Sequence, residues 1–477
     1  MLDRRSFLLY PVLMFDSSVY KARRTALCAG LQKLGVDSGL ILLPGNVESP
    51  MNYADNTYRY RQDSSFLYCV GLQEPGLAAT IDVASGRCCL FADELSMDML
   101  VWTGPRPSAA EYAAACAADE LRPVSALADV LAAAGSSPLF LPPYRAETQY
   151  WLEDLTGIEQ VRLREEASLP LIQAMVELRE IKEDREIVEI EKAVDTTIAM
   201  HRAVMASVGP GVSEAELMAT AYRVALAGGG MPSFPPIATT RGAVLHNHGY
   251  DGVCRSGQLF LLDAGAETPM GYAGDLTSTF PVSGRYDSRQ RAIYELVLAA
   301  GSTAASMLKP GLSFRQAHLA AAATIVRGLQ ALGLMRGDVE AAVEAGAHAL
   351  FFPHGLGHQM GLDVHDMEAL GELHVGYDSQ PRSTQFGLKS LRLAKALRPG
   401  MVLTVEPGIY FIEGLWRKWR ADGLHSEFIN YDEAGKWMDF GGVRNEEDWL
   451  ITADGARRLG GSFDKSLAAM EAGLGRA

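Results

Sequence analysis

Residues 351–366 read FFPHGLGHQMGLDVHD. Three of the chain's 10 histidines, His354, His358 and His365, fall within this one stretch. Glycines at 355, 357 and 361 let the backbone turn sharply and come close to a ligand. A segment so rich in glycine does not make a stable helix. A lone histidine here reads as structural. Three together point to metal ligation and proton transfer, the tasks that imidazole performs near neutral pH.

Outward from this stretch, four acidic residues stand beside apolar strands. LLDAG (261–265) ends an apolar run on Asp263 and its tight exit, and GDLT (274–277) follows with Asp275 and Thr277. Gly271 and Gly274 flank a turn, so the chain returns as a hairpin with the two carboxylates side by side. Alone, this pair also reads as two exposed turn caps. Held close, two carboxylates repel unless a cation lies between them. PGMVLTVEPG (399–408) is a strand carrying Glu406 and stopped by Pro-Gly, and GGVRNEEDWLIT (441–452) sets Glu446 before another apolar strand. Burying two further carboxylates is costly without a partner. A site for two divalent metal ions supplies one. Hard oxygen donors with one imidazole suit manganese, or cobalt, zinc or iron by availability.

The surrounding half contains a repeat. Pro210-Gly211-Val212-Ser213 recurs as Pro310-Gly311-Leu312-Ser313, each copy following one apolar helical pattern and opening another. Ser213 with Glu216, and Ser313 with Gln316, have the spacing of capping boxes. A duplicated helix-turn-helix unit follows, as a pseudo-twofold fold with a shared central cleft requires. Further upstream, a helix is expected over Tyr20 to Leu34. Short strands are expected at Gly39–Pro44, Ala78–Val83, Cys88–Phe91 and Pro138–Leu141, with helices at Ala109–Ala118 and Val124–Ala134. Such alternation is that of an α/β domain. Glu177 to Met205, with Ile181, Ile187, Ile190 and Val194 at helical spacing, reads as one long amphipathic helix. The boundary is placed near Leu169-Pro170, giving an N-terminal domain over residues 16–170 and a second over 171–460.

Composition narrows the function classes. Hydrophobic residues are 48% and charged residues 21% of 477, ordinary for globular domains. A net charge of −15 without a basic stripe argues against nucleic acid and anionic membranes as partners. No apolar run is long enough to span a bilayer. Six cysteines, Cys88 and Cys89 adjacent and the others scattered, form no disulfide framework. Arg4-Arg5-Ser6-Phe7-Leu8-Leu9 faintly resembles a twin-arginine export signal, but Pro11 interrupts the apolar stretch and no cleavage site follows before Asp16. A cytoplasmic location is expected.

The ordered set Asp263, Asp275, His358, Glu406, Glu446 resembles the metal-ligand series of the methionine aminopeptidase, aminopeptidase P and prolidase family. HGLGHQMGLDVHD (354–366) resembles its proline-peptidase signature almost throughout, with Met360 replacing a branched aliphatic residue. The resemblance covers about residues 16 to 455. YRQDSSFLY (60–68) lies in a part similar to the creatinase-type domain that precedes the catalytic one. The resemblance implies an α/β creatinase-like N-terminal domain and an α+β pita-bread catalytic domain with an internal pseudo-twofold repeat. GLKSLRLAKAL (387–397) is similar to the prolidase segment whose arginine, here Arg392, binds the dipeptide carboxylate. The length between Glu406 and Glu446, with IYFIEGLW and FGGVR within it, also looks like prolidase.

The activity implied is hydrolysis of the Xaa-Pro bond in dipeptides, in a homodimer. Asp263 and Glu446 bridge the two metals, Asp275 completes one, and His358 with Glu406 the other. Glu406 shuttles the water proton. His246 and His365 face the tetrahedral centre and the leaving nitrogen, and His354 lines the prolyl side. Arg444 and Thr277 support the ligands from behind, Arg444 on Glu446 or a neighbouring carboxylate. Three departures stand out. Phe234 occupies a common tyrosine position, Asn247 follows His246 where tyrosine is frequent, and Asn445 replaces an apolar residue. Aminopeptidase P, acting on longer peptides, is the alternative. Creatinase-like hydrolases and non-catalytic binding modules of this fold lack the full ligand set, whereas all five positions are present here.

Overall fold

Asp16 accepts a hydrogen bond from the Ser18 amide and so opens the helix Ser17–Lys33. From here the computed structural model describes residues 15–474, and the Arg4-Arg5 stretch lies outside them. The chain divides into two compact units. One takes the described residues up to Arg179 with Ala369–His374, and the other takes Glu180–Glu368 and Val375 onward. Leu169 and Pro170 open the helix Leu169–Glu180.

The first unit is built on a sheet of β1 (Leu40–Pro44), β2 (Ala78–Asp82), β3 (Cys88–Phe91) and β4 (Glu120–Arg122), in that order. The first two pairings are antiparallel and the last is parallel. Pro138–Leu141 does not form a full strand. Leu139 makes a single parallel bridge to Ile41, because Pro138, Pro142 and Pro143 have no N–H to extend the ladder. Leu42, Phe91, Leu131 and Phe140 lie in the core of this unit. Arg24 is buried beside it and donates to the carbonyls of Cys69, Cys116 and Ala117, which satisfies orphan acceptors at two helix ends.

Glu177 to Met205 forms two helices instead of one, Leu169–Glu180 and Asp184–Ser207. The break lets Lys182 turn inward. Its amide donates to Gly400 O at 2.9 Å and its ammonium pairs with Asp366 at 2.9 Å, both groups buried. Glu183 and Glu186 then form a capping box that restarts the helix.

The repeat extends well beyond its helices. Asp184–Ser207 and Glu214–Ala227 form one helix pair, Ser288–Met307 and Phe314–Ala331 the other. The Gly211 amide donates to Cys254 O at 2.8 Å, and the Gly311 amide to Leu397 O at 2.8 Å. Ser213 bridges Val253 as Ser313 bridges Ala396. A strand follows each bridge, β6 (Leu259–Ala264) in the first copy and β8 (Val402–Val405) in the second. Asp263 and Glu406 stand equally far along these two copies. β6 lies between β5 (Ile237–Thr239) and β7 (Leu276–Pro281), while β8 pairs with β11 (Glu447–Ile451), which pairs with β12 (Ala456–Arg458). β9 (Gly408–Tyr410) pairs with β10 (Gly442–Arg444). Among the described residues, no helix is long and apolar enough to cross a membrane, and all six cysteines are free thiols.

Candidate metal centre and catalytic cavity

The strand ends of the second unit bring the acidic residues together. Asp263 on β6 faces Thr277 on β7, and Asp275 projects on the same side two residues earlier. Glu447 pairs with Val405, so Glu446 holds the same place beside Glu406 that Thr277 holds beside Asp263. The glycine-rich stretch runs against β8, with the Thr404 amide donating to His358 O at 3.0 Å. A Cβ at Gly357 would lie 2.1 Å from Thr404 O, which explains the glycine. The five acid and imidazole side chains line a cavity of about 630 Å³, with His246, His354, His365, Arg392 and Arg444 in the same wall.

Ligand-type atoms of Asp275, His358 and Glu446 all lie within 4.8 Å of one another, each on a buried residue. His358 Nε2 is 3.5 Å from Asp275 Oδ2, while its Nδ1 hydrogen bonds Gln359 O at 3.0 Å. Nδ1–H donates to that carbonyl, which leaves the Nε2 lone pair of the neutral ring facing the acids. Thr277 Oγ1 donates to Glu446 Oε2 at 2.7 Å. Asp275 Oδ1 is buried and accepts no hydrogen bond.

Burial, then Glu446 and Asp263, hold the Asp275 carboxyl well above the usual carboxylate range. Burial, then Glu406 and Asp263, raise Glu446 in the same way. Glu406 is pushed up to about 8, chiefly by burial. Buried carboxylates that oppose one another's ionisation are what a divalent cation relieves, and the orphaned Asp275 oxygen fits that use.

Asp263 and Glu406 line the cavity outside that tight cluster. Asp263 Oδ2 accepts from Arg444 Nη2 at 2.5 Å. Arg444 therefore braces Asp263, the neighbouring carboxylate, and reaches Glu446 only through Thr277, to which its Nε donates at 3.2 Å. Arg444 Nη1 also donates to Tyr410 Oη at 2.9 Å, which is 2.9 Å from His354 Nε2. Burial and Arg444 push His354 down to about 3, so it is neutral. The tyrosine proton then goes to Nε2, and His354 Nδ1–H donates to Gly355 O at 2.8 Å. Opposite, the rings of His358 and His365 stack at 3.7 Å. His365 Nδ1 meets Glu368 Oε1 at 2.7 Å, and Arg392 Nη1 donates to both oxygens of Glu368. His246 is pulled down by burial, then by Arg444.

Comparison with known proteins gives these residues a context. Residues 20–140 match the aminopeptidase P N-terminal domain, and residues 188–453 match metallopeptidase family M24. The chain belongs to metallopeptidase family M24. The human Xaa-Pro dipeptidase is 33% identical to this M24 metallopeptidase over 456 residues, 93% of this chain and 90% of that protein. A probable Xaa-Pro aminopeptidase of Metarhizium acridum (strain CQMa 102) is 32% identical over 461 residues, 90% of this chain and 89% of that one. The Pseudomonas aeruginosa aminopeptidase PepP has the same fold, with a TM-score of 0.79, 29% identity and 97% and 98% of the two chains covered. The M24 metallopeptidase thus has the N-terminal domain and pita-bread catalytic domain of the aminopeptidase P group and is a metal-dependent peptidase.

Several residues around the M24 cavity escaped sequence reasoning. Tyr410 follows Glu406 and Gly408 at strand alternation, a signal that could have found it. Asp448 follows Arg444 and Glu446 at the same alternation, and its Oδ2 accepts from the Asp275 amide at 3.1 Å; Glu368 carried no such signal. Lys465, buried beyond the strands, donates to the carbonyls of Thr277 and Glu446. The three departures fall differently. Phe234 lines the cavity. Asn247 turns back onto the end of β5, with Nδ2 donating to Thr239 Oγ1 at 2.8 Å. Asn445 is buried between Arg444 and Glu446.

Proposed function

We propose that this metallopeptidase hydrolyses the Xaa-Pro bond, with dipeptides as its substrates. The observation that carries this reading is Arg392, whose guanidinium shares one cavity with the acid and imidazole cluster. A dipeptide carries a free carboxylate one residue beyond the scissile bond, and a guanidinium suits it by donating two parallel hydrogen bonds. Relatives named Xaa-Pro dipeptidase and Xaa-Pro aminopeptidase support the proline specificity. The amide before proline has no N–H, so the site must hold its substrate by other groups.

In this reading Asp263, Asp275, His358, Glu406 and Glu446 hold two divalent ions. When bound, such ions acidify a water and polarise the scissile carbonyl. Glu406 takes the proton from the attacking water. His246 and His365 face the carbonyl carbon as it becomes tetrahedral, and the C–N bond breaks as the prolyl nitrogen takes the water-derived proton back from Glu406. His354, held neutral in the chain from Arg444 through Tyr410, lines the prolyl side. Arg444 and Thr277 keep Asp263 and Glu446 in place. Manganese is the ion favoured, on the strength of the oxygen-rich donor set. A homodimer in the cytoplasm belongs to the same reading.

One observation favours the second reading, an aminopeptidase acting on longer peptides. Arg392 is held by Glu368. Metal-restored protein should release proline from an Xaa-Pro dipeptide with higher kcat/KM than it cleaves Xaa-Pro-Yaa. The reverse order would overturn the dipeptidase reading and leave the aminopeptidase.

A further inference from the structure

Glu368 takes the guanidinium that this proposed function gives to the substrate. Its carboxylate accepts from Arg392 Nη1 at 2.9 Å to Oε1 and 2.8 Å to Oε2. Oε1 also meets His365 Nδ1 at 2.7 Å. His365 and Arg392 both line the cavity, so Glu368 ties two of its lining side chains together. The Glu368 side chain is neither sealed off nor fully in water, at 27% exposure, and that of Arg392 is at 38%.

A glutamate side chain and a peptide C-terminus present the same group, a planar carboxylate with one negative charge. Two such groups at one guanidinium share its donors and repel each other. A dipeptide brings its carboxylate to Arg392 against a resident one. An amidated dipeptide or a longer peptide has no charge at that atom and meets no such opposition.

We propose that Glu368 is a specificity-determining residue that competes with a dipeptide's free carboxylate for Arg392. It raises the KM of dipeptides relative to amidated and longer Xaa-Pro peptides, and so sets where this chain lies between dipeptidase and aminopeptidase. The proposal rests on the Xaa-Pro reading above. A residue that only braced His365 and Arg392 would act differently, because its loss would weaken all substrates together.

The test uses the full chain restored with manganese, as wild type, Glu368→Gln and Glu368→Asp. Glutamine keeps the volume and removes the charge, while aspartate keeps the charge. KM and kcat are measured separately for an Xaa-Pro dipeptide, its C-terminal amide and an Xaa-Pro-Yaa tripeptide, with Tm recorded for each protein. Glu368→Gln is expected to lower the dipeptide KM by about tenfold, the scale of relieving one close like-charge contact, while the other two KM values move less than about twofold. Any loss in kcat from the altered His365 contact should be shared by all three substrates. Glu368→Asp should keep the wild-type order of KM values. An unchanged or raised dipeptide KM, three KM values moving together, or loss of all activity in a folded Glu368→Gln protein would overturn the proposal. Wild-type protein inactive on all three substrates would instead overturn the Xaa-Pro reading itself.

Discussion

Asp275→Asn is expected to lower kcat at least about a hundredfold, the scale of losing an essential charge-stabilising group. Asparagine preserves the size of the side chain and removes its charge. The effect is large because Asp275 lies at the centre of the tightest part of the site, with ligand-type atoms of His358 and Glu446 within 4.8 Å. Its Oδ1 is buried with no hydrogen-bond donor facing it, so an amide there has lost the anionic oxygen without gaining a partner. Elemental analysis should show less metal in the variant than in wild type prepared alongside it. A variant with normal metal content and near-normal kcat would remove Asp275 from the proposed ligand set.

The second large effect is expected from Arg392→Ala. Dipeptide kcat/KM should fall by a factor corresponding to about 2–4 kcal/mol, the range for removing one partner of a desolvated charge pair. The contact with Glu368 strengthens this expectation. Without Arg392, the Glu368 carboxylate loses the two hydrogen bonds it accepts from that guanidinium, keeps its contact with His365, and faces the dipeptide carboxylate with no guanidinium between them. An Xaa-Pro-Yaa tripeptide and an amidated dipeptide should lose much less. Equal losses in kcat/KM on all three substrates would dismiss the carboxylate clamp and favour an aminopeptidase acting on longer peptides.

The residues most legible in the sequence were those with a local signature. Asp263, Asp275, Glu406 and Glu446 each stand at the end of an apolar strand, and His354, His358 and His365 share one glycine-rich segment; all seven line one cavity. The helix pairs of the repeat were legible because Pro-Gly-Val-Ser and Pro-Gly-Leu-Ser recur at constant spacing. Their strands were legible singly but not as matching parts of the repeat. The second copy carries a longer stretch between Ser313 and its bridge partner Ala396 than the first does between Ser213 and Val253. The equivalence of Asp263 and Glu406 therefore disappears from any fixed offset.

What remained hidden depended on distant partners. The apolar spacing around Ile181 and Ile187 continues through Lys182, so nothing local announces the helix break that takes Lys182 to Asp366. Tyr410, Glu368 and Lys465 matter through groups that only the folded chain brings near. Arg392 illustrates the same limit. Its segment suggested a substrate contact, while its partner Glu368 became visible only in three dimensions.

The most direct test of a two-metal Xaa-Pro peptidase is a metal titration of chelator-stripped protein, followed by proline release from an Xaa-Pro dipeptide. The account predicts no turnover in the stripped protein and a rise with added manganese that saturates near two ions per chain, the number for which the acid and imidazole donors are proposed. Full proline release in excess chelator, from protein in which elemental analysis finds no metal, would contradict it.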